Sequence, residues 1–170
     1  MNYNELRPMI KTGAVVLWKG NGLISRAIRL KTEYSHISIV VRFADKGLDQ
    51  RVFIVESLGS GLELRYLSKR VQEYNGDCWI YHTDITDNQR GIIRAFALKE
   101  VSEAKSYDYK TFWKLLIGRA SQEMSSYICS EFVKQCFIEA KVVKDDGTAP
   151  YPVDLLGLVP GILRQTKIEV

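Results

Sequence analysis

The chain has 170 residues, of which 46% are hydrophobic and 26% are charged. This length and apolar content suit one globular domain with a buried core and exclude a wholly disordered chain. The 24 Lys and Arg residues exceed the 20 Asp and Glu residues by four, and they are scattered along the sequence. Such a balance excludes the strongly basic surface of a nucleic-acid-binding protein. We therefore predict a single domain over residues 1–170 that has no nucleic-acid partner.

The sequence favours neither membrane insertion nor secretion. Its apolar stretches are far shorter than the roughly 20 residues of a membrane-spanning helix, and its N-terminus lacks the pattern of a secretory signal. The three cysteines, Cys78, Cys129 and Cys136, include no Cys-x-x-Cys pair, which indicates reduced thiols. We expect a cytoplasmic protein. We expect neither a cofactor nor a metal ion, because no acidic or histidine cluster has metal-ligand spacing.

The first half of the chain is predicted to form mostly β-strands. Period-two alternation and β-branched content indicate strands at 13–18, 35–43, 51–57, 62–66 and 78–82. Between the first two, residues 23–30 have apolar side chains at near-helical spacing, with Arg26 and Arg29 on the other face. The polar stretch 44–50 separates the second strand from the third, which predicts an antiparallel hairpin.

The second half is predicted to be helical. Beyond Thr86 or Asp87, either of which can cap a helix, apolar residues fall on one helical face as far as Val101. Further helical stretches are predicted at 110–117 and 129–140, and a loosely apolar tail follows.

Cys129 is the first candidate for chemistry. The predicted helix begins just after Ser125 and Ser126, so the thiol is expected in the first helical turn. Backbone N–H groups and the helix dipole favour the thiolate there, which is the form that attacks a carbonyl. The same N–H groups can stabilise the oxyanion of a tetrahedral intermediate. We therefore predict a nucleophile at a helix N-terminus.

A cysteine nucleophile needs a general base, and the sequence offers only His36 and His82. His36 opens the second strand, whose inward apolar set is complete without it. A hairpin centred near Lys46 pairs His36 with Glu56, which can then orient the imidazole. Taken singly, Cys129 is typical of a core residue, and His36 and Glu56 are typical of strand ends. Their combination favours catalysis, whereas His82 is interpreted as a supporting or surface residue.

Four segments resemble motifs of the circularly permuted NlpC-type papain-like superfamily, and within it the YiiX-like group of hydrolases. They are GAVVLWKG at 13–20, YSHISIVV at 34–41, VES at 55–57 and ICSEFV at 128–133. In that superfamily the histidine precedes the cysteine because the chain is permuted around the papain-like site, and the order here agrees. The resemblance spans roughly residues 12–140.

The resemblance implies an α+β fold in which an antiparallel sheet or partial barrel packs against helices, with the nucleophile at a helix N-terminus. Residue by residue, it implies Cys129 as nucleophile, His36 as base and Glu56 as the orienting residue. It adds Tyr34 and Ser130 as candidates that line the substrate pocket. Members of the superfamily act on cell-wall peptides or on lipid acyl groups, the latter being the lecithin:retinol acyltransferase type. All of them proceed through an acyl-enzyme.

We predict a cysteine peptidase or amidase that cleaves an amide bond in a peptide or a peptidoglycan-type stem peptide. One alternative keeps the same Cys-His site but acts on a lipid acyl ester or thioester. In that case the helix at 23–30 makes peripheral contact with a membrane surface. The other alternative is a non-catalytic module whose cleft binds a ligand.

Overall fold

The computed structural model describes residues 1–28, 30, 32–43, 50–58, 61–104, 121–148, 150–159 and 164–169. Its helices are α1 (Tyr3–Leu6), α2 (Leu23–Ile28), α3 (Leu67–Glu73), α4 (Asp87–Ala104), α5 (Ser121–Glu139) and α6 (Pro152–Leu158), with a 3-10 turn at Arg7–Met9. Its strands are β1 (Val15–Gly20), β2 (His36–Val41), β3 (Phe53–Leu58), β4 (Gly61–Tyr66), β5 (Gly76–His82) and β6 (Arg164–Lys167). All five predicted strands are present, and the helix predicted at 110–117 lies outside the described residues.

The six strands form one antiparallel sheet in the order β4-β3-β2-β1-β5-β6. β4 and β6 lie at its two edges, so the sheet is open and not a closed barrel. β2 and β3 form the predicted antiparallel hairpin, in which Ile39 lies opposite Val55. The predicted α+β fold, with helices against an antiparallel sheet, is confirmed.

The sheet is buried on both faces, which explains why its central strands contain nearly continuous apolar runs. The face that we call the α5 face packs against α4, α5 and α6. Its cluster includes Val15, Leu17, Ile37, Ile39, Val55, Ile93, Val133, Phe137 and Leu155. The opposite face, which we call the α3 face, packs against α1 and α3. Its cluster includes Leu6, Val16, Trp18, Val40, Ile54, Leu67 and Val71.

Two local features fix element ends. The Thr86 hydroxyl accepts the Gln89 N–H at 3.3 Å, while the Gln89 side chain accepts the Thr86 N–H at 2.9 Å. This reciprocal pair is a capping box, so Thr86 is the cap of α4. Gly76 begins β5 with φ at 156°, where an added Cβ would lie 2.3 Å from the Lys19 backbone oxygen. Only glycine fits so close an approach of two backbones.

Four short elements, α1, α3, α6 and β6, were not predicted from the sequence. In α3 only Leu67 and Val71 are buried, which is too few positions to establish a helical period. β6 is an edge strand whose sequence, RQTK, contains no apolar residue and therefore no alternation. Packing against the rest of the sheet, and not local propensity, specifies these elements.

Candidate active site

His36 and Glu56 form the polar centre of the candidate site. His36 Nε2 lies 2.9 Å from Glu56 Oε2, and the Glu56 side chain is fully buried while that of His36 is 15% exposed. The predicted register paired the two residues directly, and this detail is wrong. The observed register differs by two residues, so that Glu56 lies opposite Ser38 and diagonal to His36. A shift of two keeps Glu56 and His36 on the same face of the sheet, which is the α3 face.

Cys129 contacts the same imidazole from the other face. Its side chain is fully buried in the cluster of the α5 face, and it forms a hydrogen bond with His36. His36 is the first residue of β2, so its ring lies at the end of a strand, where groups from both faces can meet it. Because Glu56 contacts Nε2, the nitrogen left for the sulfur is Nδ1. The structure thus brings together the three residues that the sequence singled out.

The position of Cys129 along its helix differs from the prediction. α5 begins at Ser121, so Cys129 lies in its third turn and not at its N-terminus. The preceding residues 121–128 contain neither glycine nor proline, and serine is tolerated inside a helix, so nothing ends the helix before Cys129. Inside a helix the N–H of residue 129 is bonded to the carbonyl four residues earlier. The predicted helix-dipole effect and the predicted oxyanion contact of this N–H are therefore wrong for this structure.

The charges around His36 stabilise its protonated form. Burial by itself would lower the pKa of His36, but the Cys129 sulfur and the Glu56 carboxylate raise this pKa from 6.5 to about 9. Burial likewise opposes ionisation of Glu56, yet His36 and the guanidinium groups of Arg70 and Arg65 hold the pKa of Glu56 below its ordinary value. At neutral pH the site therefore contains an imidazolium next to a carboxylate.

Two arginines lie beside Glu56, which is also opposite Glu63 in the pairing of β3 with β4, and sequence reasoning did not assign these arginines to the site. Arg70 Nε lies 2.9 Å and an Arg65 terminal nitrogen 3.5 Å from Glu56 Oε1. Arg65 lies on β4, opposite Ile54 of β3, and Arg70 lies on α3. The alternation of β4 could have placed Arg65 on the face of Glu56. Arg70 follows from no such pattern, because α3 has too few buried residues to show a helical period.

The two predicted pocket residues have structural partners instead. Tyr34 is 2% exposed, its hydroxyl lies 3.4 Å from that of Tyr81, and its ring packs edge-on against Trp79. Ser130 is fully buried and donates a hydrogen bond to the Pro150 carbonyl, which ties α5 to the segment before α6. Neither side chain offers exposed surface to a substrate in this structure.

The second histidine lies apart from this site. His82 ends β5 and lines a cavity of about 300 Å³ together with Lys11, Asp84 and Arg90. A second cavity of about 310 Å³ lies beside α1 and α3, and neither of the two is lined by Cys129 or His36.

Comparison with known proteins assigns the chain to a family. The family model described as permuted papain-like amidase enzyme, YaeF/YiiX, C92 family, matches residues 9–149. The chain belongs to this family. As a C92 amidase it is a cysteine hydrolase, which confirms the predicted enzyme class and the predicted permuted papain-like superfamily. No curated protein sequence matches the chain.

A solved structure has a similar fold. The crystal structure of the metalloprotein yiiX from Escherichia coli O157:H7 (DUF1105) shares 18% sequence identity with the chain and superposes with a TM-score of 0.54. The match covers 82% of this chain and 68% of yiiX. Within the described ranges of this C92 chain, no group of three or more His, Cys, Asp or Glu side chains could hold a metal ion. The helices in those ranges are each too short or too polar to span a lipid bilayer.

Proposed function

We propose that the protein hydrolyses an amide bond in a peptide or a peptidoglycan-type stem peptide through a thioester on Cys129. The observation that carries this proposal is the position of His36, whose ring contacts both Cys129 and Glu56. Membership of the amidase family supports the reaction class. The arrangement of nucleophile, base and orienting carboxylate supports the assignment of the individual roles.

In the acylation step, the Cys129 thiolate attacks the carbonyl carbon of the amide and forms a tetrahedral intermediate. The His36 imidazolium then donates its Nδ1 proton to the departing nitrogen, so the C–N bond breaks and an amine leaves. The products of this step are a thioester on Cys129 and a neutral imidazole. The raised pKa of His36, about 9, keeps the imidazolium available at neutral pH.

In the deacylation step, the neutral His36 acts as a base. It removes a proton from a water molecule, whose oxygen attacks the thioester carbonyl. The C–S bond breaks, the carboxylic acid leaves, and the thiolate and imidazolium are restored. Throughout the cycle Glu56 accepts the Nε2–H of His36 at 2.9 Å, which fixes the ring so that Nδ1 faces the reacting atoms.

The burial of Cys129 limits how substrate reaches the sulfur. Its side chain has no exposed surface, whereas the neighbouring His36 side chain is 15% exposed. Attack on an acyl group therefore requires a local movement that opens the sulfur to substrate. Modification of the thiol by iodoacetamide should report this opening, since the reagent must reach the same atom.

The test is cleavage of soluble stem peptides and of unrelated linear peptides, followed by mass spectrometry. We expect a new amine and a new carboxylic acid from one peptide class, and a protein mass increased by the acyl group. Cys129→Ala should abolish both signals. Cys136→Ala, at a buried cysteine on the same helix, is the matched control and should retain them. Equal cleavage by Cys129→Ala and by the unmodified protein would refute the proposal.

A lipid acyl ester is a second candidate substrate, and one observation favours it. Leu23 at the start of α2 is 85% exposed, and Leu30 shortly after α2 is 87% exposed. Exposed leucines beside basic residues are typical of a surface that meets lipid headgroups and acyl chains. Release of fatty acid from phospholipid vesicles, lost in Cys129→Ala and weakened in Leu23→Ser, would favour the lipid substrate over the peptide.

A further inference from the structure

Glu56 carries a charge in a place where water cannot solvate it. Its side chain is fully buried, and a buried carboxylate is costly unless cations remain close to it. His36 is such a cation only while it is protonated. In the proposed cycle, His36 gives up its proton before the thioester is hydrolysed, so another cation must keep Glu56 ionised at that stage.

Arg70 has the geometry for this role. Its Nε lies 2.9 Å from Glu56 Oε1, on the carboxylate oxygen that does not contact His36. The two atoms lack the alignment of a hydrogen bond, so their contact is chiefly electrostatic. A guanidinium stays protonated at every pH at which the enzyme works. The charge of Arg70 is therefore independent of the proton on His36.

Aromatic rings hold the Arg70 guanidinium in place. Its central carbon lies 5.3 Å from the centroid of the Trp18 ring and 5.0 Å from that of Tyr74. These two rings pack edge to face at 4.8 Å, and the Trp18 indole N–H donates to the Ser38 hydroxyl at 2.8 Å. Trp18 also lies opposite His36 in the pairing of β1 with β2. The arginine is thus fixed by the same strands that carry the histidine.

Arg65 is less suited to the same role. Its nearest nitrogen lies 3.5 Å from Glu56, and its other terminal nitrogen donates to Glu73 at 3.2 Å. Its side chain is 29% exposed, compared with 17% for Arg70. A charge that is shared with a second carboxylate and is partly solvated acts more weakly on Glu56.

We propose that Arg70 is a positioning residue that keeps Glu56 ionised and directed at His36 while the imidazole is neutral, and so supports hydrolysis of the acyl-enzyme. This inference rests on the proposed function of the site. The proposed role makes Arg70 more important for deacylation than for acylation. Before acylation the imidazolium itself compensates the charge of Glu56, whereas afterwards Arg70 must do so.

The experiment uses p-nitrophenyl acetate with the full chain, because nitrophenolate leaves without needing a proton. The burst of nitrophenolate then reports acylation, and the steady rate reports deacylation. We expect Arg70→Met to slow deacylation by about tenfold or more and to change acylation less. The acid limb of the deacylation profile should move to higher pH, because the Glu56–His36 pair holds its protons more readily without the arginine. Arg70→Lys should bring the acid limb most of the way back to its position in the unmodified protein.

Lys69→Met is the matched control, since Lys69 lies on the same helix, is exposed, and pairs with Glu73 and not with Glu56. The inference would be overturned if Arg70→Met had the same acylation rate, deacylation rate and pH profile as Lys69→Met. If Arg70→Met does not fold, Arg70→Gln is measured by the same two criteria. The proposed function fails in a different way, namely if Cys129→Ala still gives the burst or if the unmodified protein forms no acyl-enzyme.

Discussion

Replacing Glu56 by glutamine should lower the pKa of His36, because the amide keeps the size of the side chain and removes its charge. The pKa of His36 is raised from 6.5 to about 9 against the opposing effect of burial, with Cys129 contributing more than Glu56. This difference corresponds to about 3 kcal/mol of preference for the imidazolium, at about 1.36 kcal/mol per pKa unit. In Glu56→Gln we therefore expect a pKa between these two values. In Cys129→Ala we expect the pKa of His36 to be lower than in Glu56→Gln, and in the variant with both substitutions we expect it to be below 6.5.

The assay is an NMR titration of histidine labelled with ¹³C and ¹⁵N. The sequence contains two histidines, so a His82→Gln variant assigns the signal of His36. An unchanged His36 titration in Glu56→Gln would refute the reasoning, since the carboxylate would then not act on the imidazole.

Unfolding measurements give an independent check of the same interaction. A histidine whose pKa is higher in the folded state stabilises the fold fully below its unfolded pKa and loses this contribution as the pH rises through the folded pKa. The unmodified protein should therefore lose stability relative to Glu56→Gln between about pH 6.5 and about pH 9. At the acid end, the depressed pKa of Glu56 has the opposite effect: its contribution is present above the ordinary glutamate pKa and is lost as the pH falls. Parallel stability curves for the two proteins across both windows would contradict the assignment.

Three further predictions concern residues beyond the Glu56–His36 pair. Iodoacetamide near neutral pH should label Cys129 before the other two cysteines. The reason is that burial raises the pKa of Cys78 to about 12 and that of Cys136 far above its usual range. Equal labelling of the three cysteines in a peptide mass map would count against a thiolate at Cys129. Ser130→Ala should cost about 1–3 kcal/mol in urea unfolding, since a buried carbonyl loses its donor, and should leave the burst rate unchanged. A slower burst at unchanged stability would instead place Ser130 in the substrate pocket. Gly76→Ala should lower the melting temperature and reduce the free energy of unfolding by about 1–3 kcal/mol or more, because the new methyl group overlaps a backbone oxygen. An unchanged melting temperature would show that the start of β5 can shift to make room for the methyl group.

The contact between His36 and Glu56 was predictable from the sequence even though the register was not. An error of two residues leaves every side chain on its own face of the sheet, whereas an error of one would have moved Glu56 to the opposite face. The alternation of Ile37 and Ile39 against His36 and Ser38 fixes the face, and only the turn between the strands fixes the register. The sequence therefore indicates which face of the sheet a side chain occupies more securely than it indicates which residues lie opposite each other on two strands.

The helix start before Cys129 and the two arginines were not predictable in the same way. Ser125 and Ser126 have the chemistry of helix caps, but that chemistry competes with helix propagation and does not decide it. Arg70 reaches Glu56 only because α3 packs on the sheet. Since only two residues of α3 are buried, its sequence shows no helical period. Such contacts arise from tertiary packing of distant segments, which leaves no periodic signal along the chain.

The position of His36 at a strand end explains how one imidazole can meet partners from both layers of the protein. A residue in the middle of β2 points to a single face, so it could contact either α5 or the residues of the α3 face, but not both. His36 is the first residue of β2 and belongs to the terminal pair of β2 with β1, so its ring lies at the strand end, with Cys129 on one side and Glu56 on the other. The geometry of the candidate site therefore depends on the packing of both helical layers against the sheet. Substitutions in the core beneath α3 should alter the orientation of His36 as readily as substitutions beneath α5, even though α3 carries neither the sulfur nor the imidazole.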